Sequence, residues 1–229
     1  MIRRALLGPI ARLFRPRARG TALEAPLEYV LFLAGWLIWP LDAVLRLLAA
    51  TAGARPGTIR AEIRILTRHS ESSAREGALA CLRHADALLS RVGIDLRITT
   101  LEVMPWPREV APPVGGLGAL TGGFFPWASS RAPFAPTLTI YFVDDLGPLA
   151  GCAVPGADWV VVERGTDGTT IVHEIGHLAD LWTHTNDPHN VMTDRPGGRH
   201  DEITLFQQRL LQTCPFVTSS SCRSVETNK

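Results

Sequence analysis

The segment His173-Glu174-Ile175-Gly176-His177 limits what this chain can fold into more than any other part of its sequence. Two histidines four residues apart lie one above the other on a helix, with Cβ atoms about 6 Å apart, so both imidazoles can reach one metal ion. Another side of this helix is apolar, with Ile171, Val172 and Leu178. We therefore predict a helix that packs on the core with one face and carries a metal site on another.

Zinc is the metal that this pattern favours, because imidazole nitrogen suits Zn²⁺ at roughly 2.1 Å. Glu174 is turned by about 100° around the helix from His173, so its carboxylate can approach a water on the metal without binding the metal. A catalytic zinc site has three protein ligands and an open fourth position. The sequence thus predicts Glu174 as the catalytic base and a third ligand further along the chain. The alternative is a pair of hydrogen-bonded core histidines.

The segment 173–192 resembles the metzincin peptidases, and among them the matrixins, whose pattern is H-E-x-x-H-x-x-G-x-x-H followed by a methionine turn. His173 and His177 match the first two zinc ligands, Glu174 matches the general base, and Met192 matches the methionine beneath the metal. His184 lies eight residues before Met192, as in matrixins, and matches the third ligand. The resemblance extends over about 57–217. It implies a zinc metalloendopeptidase that acts on a peptide or protein substrate.

Two departures from the family pattern affect the third ligand. Asp180 stands where the family has glycine, and six residues instead of five separate His177 from His184. Aspartate adopts left-handed backbone more readily than most residues. We expect the extra residue to be absorbed between Asp180 and Thr183, with the helix running on to Trp182.

Other third ligands and another function stay open at this point. Glu202 in place of His184 would make the site gluzincin-like, and the remaining candidates are Asp180, Asp187 and His189. Met192 could also be an ordinary core side chain. The second function hypothesis is a membrane-tethered, non-enzymatic module with a structural zinc site. The enzyme is favoured, because a structural site is normally closed by a fourth protein ligand. Ca²⁺ could bind Asp144 and Asp145, but such pairs are usually solvated, so Ca²⁺ is unsupported.

Hydrophobic periodicity predicts an α+β fold, a mixed α/β layer, for the remainder of the chain. Alternation predicts strands at 59–65 and 94–98, with a parallel crossover between them. Further apolar stretches predict a third strand at 138–142, a short fourth at 149–153 and a fifth at 159–162. Together with the family resemblance this implies a metzincin-like domain with a twisted, mostly parallel sheet of four to five strands. We expect three helices: one opened by a capping box at Ser73–Glu76, the motif helix capped by Thr169 or Thr170, and one over about 201–214.

The resemblance also implies a short edge strand that pairs with the substrate. Its place in this sequence is Ala150, Gly151, Cys152 and Ala153. The long aromatic segment 104–136 has no periodicity and is predicted as a flap on the domain surface, with a cleft lip or membrane contact as alternatives.

The N-terminal part of the chain is basic and then apolar. Residues 1–20 carry six arginines and no acid, although the whole chain has a net charge of only +1. This distribution indicates a basic tail on a mildly acidic domain and not a nucleic-acid-binding protein. Tyr29–Leu41 is an uncharged apolar run, which the stretch to Ala50 extends, with Asp42 and Arg46 near one end. It predicts a membrane anchor, a cleaved signal peptide, or a helix on the membrane or domain.

The positive-inside rule predicts residues 1–26 in the cytoplasm and a domain outside it, either membrane-anchored or secreted. We divide the chain into a basic segment over 1–26, an apolar helix over 27–52, a catalytic domain over 57–217 and a Ser-rich tail over 218–229. Cys214 and Cys222 flank seven residues near the C-terminus and are expected to form a disulfide if the domain is exported.

Overall fold

A six-stranded, mostly parallel sheet forms the centre of the fold. The computed structural model describes residues 2–53, 55–68, 71–108, 110–111, 123–132, 136–154, 156–194 and 200–219. The helices are α1 (Ile2–Ala18), α2 (Glu24–Thr51), α3 (Glu71–Ser90), α4 (Phe124–Arg131), α5 (Gly168–Leu178) and α6 (Leu205–Gln212). The strands are β1 (Gly57–Thr67), β2 (Ile94–Pro105), β3 (Thr137–Val143), β4 (Gly151–Ala153), β5 (Trp159–Glu163) and β6 (Val217–Ser219).

The strand order is β2-β1-β3-β5-β4, with β6 also paired to β1. β1 is parallel to β2 and β3, and β3 is parallel to β5. β4 is antiparallel to β5, and β6 is antiparallel to β1. β1 is a central strand because apolar and polar residues alternate in it. Ile59, Ala61, Ile63 and Ile65 are fully buried, whereas Arg60 is exposed. The predicted mostly parallel sheet with its first parallel crossover is therefore confirmed, and β6 adds a strand that the sequence did not predict.

Helices α3 and α5 pack against each other on one face of the sheet. The predicted inner face of α3 is buried, with Cys81, Leu82, Ala85, Leu88 and Leu89, and Val92 is buried just beyond the end of the helix. Three predicted ends were wrong. Helix α3 begins at Glu71, so Ser73 lies inside it. The N-cap of α5 is Asp167, whose side chain accepts from the Thr169 N–H. The last helix spans only Leu205–Gln212 and is capped by Thr204.

The opposite face of the sheet holds an aromatic core around α4. Every residue from Phe124 to Ser130 is buried, and the ring of Phe124 packs edge-on against Tyr141 and Trp159. The prediction of a surface flap over 104–136 was therefore wrong for Phe124–Arg131, which form a buried helix. The rest of that segment, at 109, 112–122 and 133–135, lies outside the described residues.

Helices α1 and α2 form an antiparallel hairpin that packs on the domain. Asp42 accepts from the backbone N–H groups of Ile2 and Arg3, which closes the open end of the hairpin. Arg3 pairs with Asp158 at 3.0 Å, and Tyr29 stacks on Phe125 of α4. Helix α2 is long and apolar enough to span a membrane, a test that signal sequences and core helices also pass.

Candidate metal centre

Three histidine side chains converge at the C-terminal half of α5. One ring nitrogen from each of His173, His177 and His184 lies within 4.8 Å of the others. The Nε2 atoms of His173 and His177 are 3.0 Å apart, and those of His177 and His184 are 3.3 Å apart. The sequence-predicted set of three is therefore brought together in space.

The backbone fixes the tautomers of the two helical histidines. Nδ1 of His173 lies 2.9 Å from the Val191 carbonyl oxygen, and Nδ1 of His177 lies 2.8 Å from that of Leu181. A carbonyl oxygen only accepts, so each Nδ1 carries the hydrogen and donates it. Each Nε2 is then an unprotonated acceptor, as in metal sites where a histidine donates its other N–H to a carbonyl.

Burial keeps these imidazoles neutral. It lowers the pKa of His173 to about 4, and the Val191 carbonyl offsets this only in part. Burial also lowers the pKa of His177, while the Leu181 carbonyl acts in the opposite direction. Neutral acceptors that face each other at this distance cannot hydrogen-bond to one another. Zinc at 2.1 Å in a tetrahedral arrangement separates its nitrogen ligands by about 3.4 Å, so the donor set fits this ion.

A tight turn after α5 delivers His184 to the other two histidines. The helix ends at Leu178, so the expected continuation to Trp182 was wrong. Asp180 has a φ of 69°, and the N–H groups of Asp180 and Leu181 donate to the carbonyls of His177 and Gly176. These are the two bonds of a Schellman motif with aspartate at the left-handed position. Asp180 therefore does what glycine does at this position in the family pattern.

The carboxylate of Asp180 is used in a second contact. It accepts from Trp39 Nε1 at 2.9 Å and from Arg46 Nε at 2.7 Å, both on α2. The Trp39 ring also packs edge-on against Trp182, with centroids 5.1 Å apart. The N-terminal hairpin thus holds the turn that carries His184, a contact that sequence reasoning missed.

Glu174 lies between α5 and the edge strand β4. A Cβ atom added at Gly151 would lie 2.7 Å from Glu174 Oε1 and 2.8 Å from Thr170 Cγ2, so position 151 has no room for a side chain. The Ala153 N–H donates to the carboxylate, but burial dominates and raises the pKa of Glu174 to about 8. Oε2 is buried and has no hydrogen-bond partner among the described residues. A buried oxygen of this kind requires a hydrogen-bond partner, which a water molecule at the histidine group would supply.

The predicted edge strand is present as Gly151–Ala153, antiparallel to β5 at the end of the sheet. Ala150 precedes it, and its carbonyl accepts from the Glu163 N–H. Burial, followed by the charge of Glu174, raises the pKa of Cys152 to about 12. Cys152 is therefore a thiol at neutral pH and not a thiolate ligand.

Met192 lies beneath the helix that carries the histidines. It is 1% exposed, and its sulfur would be 2.5 Å from a Cβ atom at Gly176. Its N–H donates to the side chain of Asn190, and its carbonyl accepts from Thr185. The turn therefore packs closely on α5 between the first two histidines and fixes the carbonyl of Val191 that orients His173.

Asn190 and Gln207 support this turn and were not predicted. The two amides exchange hydrogen bonds at 3.0 Å and 2.8 Å, and Gln207 also completes a capping box with Thr204. The signal in the sequence was Thr204-Leu205-Phe206-Gln207, a T-x-x-Q pattern that marks a helix start. Helix α6 thus holds the methionine turn through its own first residues.

The other candidate ligands lie outside the histidine group. Glu202 is exposed and joins Asn190 in an isolated bridge, and His189 and Asp187 are exposed as well. Of the pair suggested for Ca²⁺, Asp144 lies 2.7 Å from Arg164 Nη2, and Asp145 accepts from the Gly147 N–H. Cys214 is buried, and Cys222 lies outside the described residues, so the disulfide stays a prediction.

We compared the sequence and the structure of the chain with those of known proteins. No family model matches the chain. No curated protein matches it in sequence. Its structure is similar to the crystal structure of metalloproteinase-II from Bacteroides fragilis, with a TM-score of 0.51 and 15% sequence identity. The chain thus has a fold similar to that of this metalloproteinase. The match covers 71% of this chain and 54% of the other, so the chain spans about half the length of that structure. At this identity the likeness concerns the fold alone.

Proposed function

We propose that this chain is a zinc-dependent metalloendopeptidase of the matrixin-like type. The observation that carries the proposal is the convergence of three histidine nitrogens, two of them fixed as acceptors, next to a buried carboxylate. One oxygen of this carboxylate has no hydrogen-bond partner in the part of the chain that the structure describes. His173, His177 and His184 would hold the metal. Zinc bound there supplies a Lewis acid that polarises a peptide carbonyl and lowers the pKa of water to about 7.

Glu174 is the proposed general base. Its Oε2 is buried without a hydrogen-bond partner among the described residues, so the ionised carboxylate would have room to take a proton from water there and release it to a leaving amine. Burial raises its pKa, which makes the ionised form a stronger base than an exposed glutamate, and a bound cation would favour that form. The Ala153 N–H, which donates to the carboxylate, orients it and ties it to β4. Met192 and the Val191 carbonyl hold the ligand helix in place from below and do not touch the reacting groups.

The edge strand is the proposed binding site for the peptide substrate. β4 pairs with β5 along one side only within the described sheet, and Gly151, Cys152 and Ala153 are half-buried. An extended peptide can add to such an edge through backbone hydrogen bonds. The contact between Gly151 and Glu174 would place a peptide on β4 close to the base.

The proposal is tested with Glu174→Gln, which keeps the side-chain shape and removes the base. We expect one zinc per chain in both proteins and a loss of hydrolysis of about 10²- to 10⁴-fold in the variant, measured on an unfolded protein substrate. Glu202→Gln is the control and should cleave normally. Normal cleavage by Glu174→Gln would contradict the proposed mechanism.

A structural zinc site is the second candidate, favoured by the close packing of Met192 on α5 and by the hydrogen bonds that tie its turn to α6. It predicts that the wild-type chain binds zinc, loses thermal stability when zinc is removed, and cleaves no peptide. Helix α2 supports attachment to a membrane, and we keep the prediction that the domain lies outside the cytoplasm, either attached or secreted.

A further inference from the structure

The polarity of α2 is inverted relative to a surface helix of a soluble protein. Its four charged residues are Glu24, Glu28, Asp42 and Arg46, and none of them is exposed. Only 22% of its most apolar stretch is buried. A soluble amphipathic helix turns its apolar face inward and its charges outward. Helix α2 does the reverse.

Each charged side chain of α2 has a partner in the hairpin or the domain. Arg15 of α1 binds Glu28 through two bonds of 2.7 and 2.8 Å, and the pair is almost completely buried. Arg46 binds Asp180 at 2.6 Å, with side chains 7% and 12% exposed. Glu24 accepts from Arg131 at 2.7 Å. The inner face of α2 therefore carries all its charged side chains, each of them paired, beside apolar residues such as Leu31 and Ala50.

The outer face of the hairpin is apolar with a basic margin. On α2 the exposed side chains are Val30, Leu33, Trp36, Leu37, Leu41, Val44, Leu45, Leu47 and Leu48, and Leu37 is 85% exposed. On α1 they include Leu6, Ile10, Leu13 and Phe14. Arg12 and Arg17 are exposed among them. We call this surface the hairpin face. An apolar surface of this extent marks an interaction site.

The contacts of α2 run along its whole length. They begin at Glu24 with Arg131, continue at Phe32 with Phe125 and at Arg46 with Asp180, and end at Ala50, which lies in the main core. A helix that crosses a bilayer must be surrounded by lipid over about 20 residues. Crossing would detach α2 from the domain and expose Glu28, Asp42 and Arg46 to hydrocarbon, at a cost of several kcal/mol for each.

We propose that the hairpin face docks flat on an anionic lipid bilayer, with α1 and α2 parallel to its surface and the peptidase fold above it. Apolar residues beside arginines are the composition of interfacial helices, and arginines attract anionic headgroups. A second copy is disfavoured as the occupant, because two hairpin faces both carry positive charge and lack the charge complementarity that an anionic bilayer offers. The proposal does not depend on the proposed peptidase activity.

The experiment is flotation of the full chain with preformed vesicles. Vesicles of equal parts phosphatidylglycerol and phosphatidylcholine should bind the protein, and those of phosphatidylcholine alone should bind it much more weakly. Leu33→Glu with Leu37→Glu should lower binding at least about tenfold, because both side chains are exposed in the protein and buried in the bilayer. Ile98→Glu, an exposed apolar residue on β2, is the matched control and should bind normally.

A second pair of variants tests the electrostatic part. Arg12→Glu with Arg17→Glu should reduce binding to anionic vesicles by more than about twentyfold, since each basic residue near the surface contributes about fivefold. Arg75→Glu with Arg83→Glu makes the same charge change on exposed positions of α3 and should bind like the wild type. Thermal unfolding of every variant verifies its fold.

Two results would overturn the proposal. One is equal binding of wild type and both hairpin variants to vesicles. The other is a dimer in solution that does not bind vesicles and that dissociates when Leu33→Glu and Leu37→Glu are introduced. This result would show that a second copy of the chain covers the hairpin face. Vesicle binding without any peptidase activity would support the docking and leave only the proposed function in doubt.

Discussion

His184 reaches the other two histidines because Asp180 adopts a left-handed backbone. The His184 side chain is 41% exposed, so its position depends on the turn at Asp180 and not on burial. We predict that His184→Ala loses most zinc affinity and all hydrolysis, because two ligands on one helix leave half of the coordination shell to water. His189→Ala and Glu202→Ala should retain zinc. Metal titration of the three variants side by side is the measurement, and wild-type affinity in His184→Ala would disprove the assignment.

Glu174 makes the stability of the metal-stripped protein depend on pH. Burial raises its pKa from 4.5 to about 8, so between these values the folded chain holds a proton that the unfolded chain has lost. The stabilisation is complete below pH 4.5 and is lost as pH rises through about 8. Relative to Glu174→Gln, the wild type should lose up to about 1.4 kcal/mol of unfolding free energy per pH unit in this window. Urea unfolding at pH 5 to 8 measures the difference, and a constant difference would contradict the raised pKa.

The site residues were predictable where their chemistry is local. His173 and His177 share a helix face, and that spacing is visible in the sequence. The partner of Asp180 was not predictable, because Arg46 is 134 positions away and the sequence showed only a charge within an apolar run. The same holds for Asn190, whose amide partner Gln207 lies on another element.

At the level of elements, the ion pair of Arg46 with Asp180 joins the hairpin to the turn before His184. Arg46 is buried and the Asp180 side chain is only 12% exposed, so removal of one partner leaves a poorly solvated, uncompensated charge. We predict that Arg46→Met and Asp180→Asn each cost about 3 to 5 kcal/mol of unfolding free energy, and that the double variant costs clearly less than their sum. Denaturant unfolding of the wild type, the two single variants and the double variant measures these free energies.

The matched control for this cycle is Arg91 with Asp201. This pair is also arginine and aspartate, but it is 3.4 Å long and Arg91 is 56% exposed. Arg91→Met should cost less than about 1 kcal/mol. Strict additivity of Arg46→Met and Asp180→Asn would show that the two side chains do not interact.

Elements with one polar face could be predicted, and those without one could not. In β1 apolar and polar residues alternate, because successive side chains of a strand point to opposite faces of the sheet. In α3 the buried residues recur every three to four positions, because these positions share one face of a helix. Helix α4 has no exposed face from Phe124 to Ser130, so no period marks it in the sequence. The N-cap of α5 was misplaced because Asp167 and the two threonines after it are all good capping residues, and only the structure selects Asp167.

At the scale of the whole molecule, the contacts of the hairpin bear on the proposed arrangement of the chain at a membrane. Arg3 pairs with Asp158, and Arg15 donates to the carbonyl of Ala132, so α1 contacts the domain directly. The arginine distribution alone predicted residues 1–26 on the cytoplasmic side of a crossing helix. If these contacts persist at a membrane, as the proposed docking of the hairpin face implies, α1 and the domain lie on the same side of it, and the two arrangements make different predictions.

Protease treatment of spheroplasts that carry the full chain with a tag at each end separates these arrangements. If the hairpin docks on the outer surface, external protease should remove both tags, because neither terminus is shielded by the bilayer. A crossing α2 would protect the N-terminal tag while the C-terminal tag is digested, and this result would refute flat docking. Protection of both tags would instead refute the predicted location outside the cytoplasm. Permeabilised cells, in which both tags must disappear, show that each tag can be cleaved.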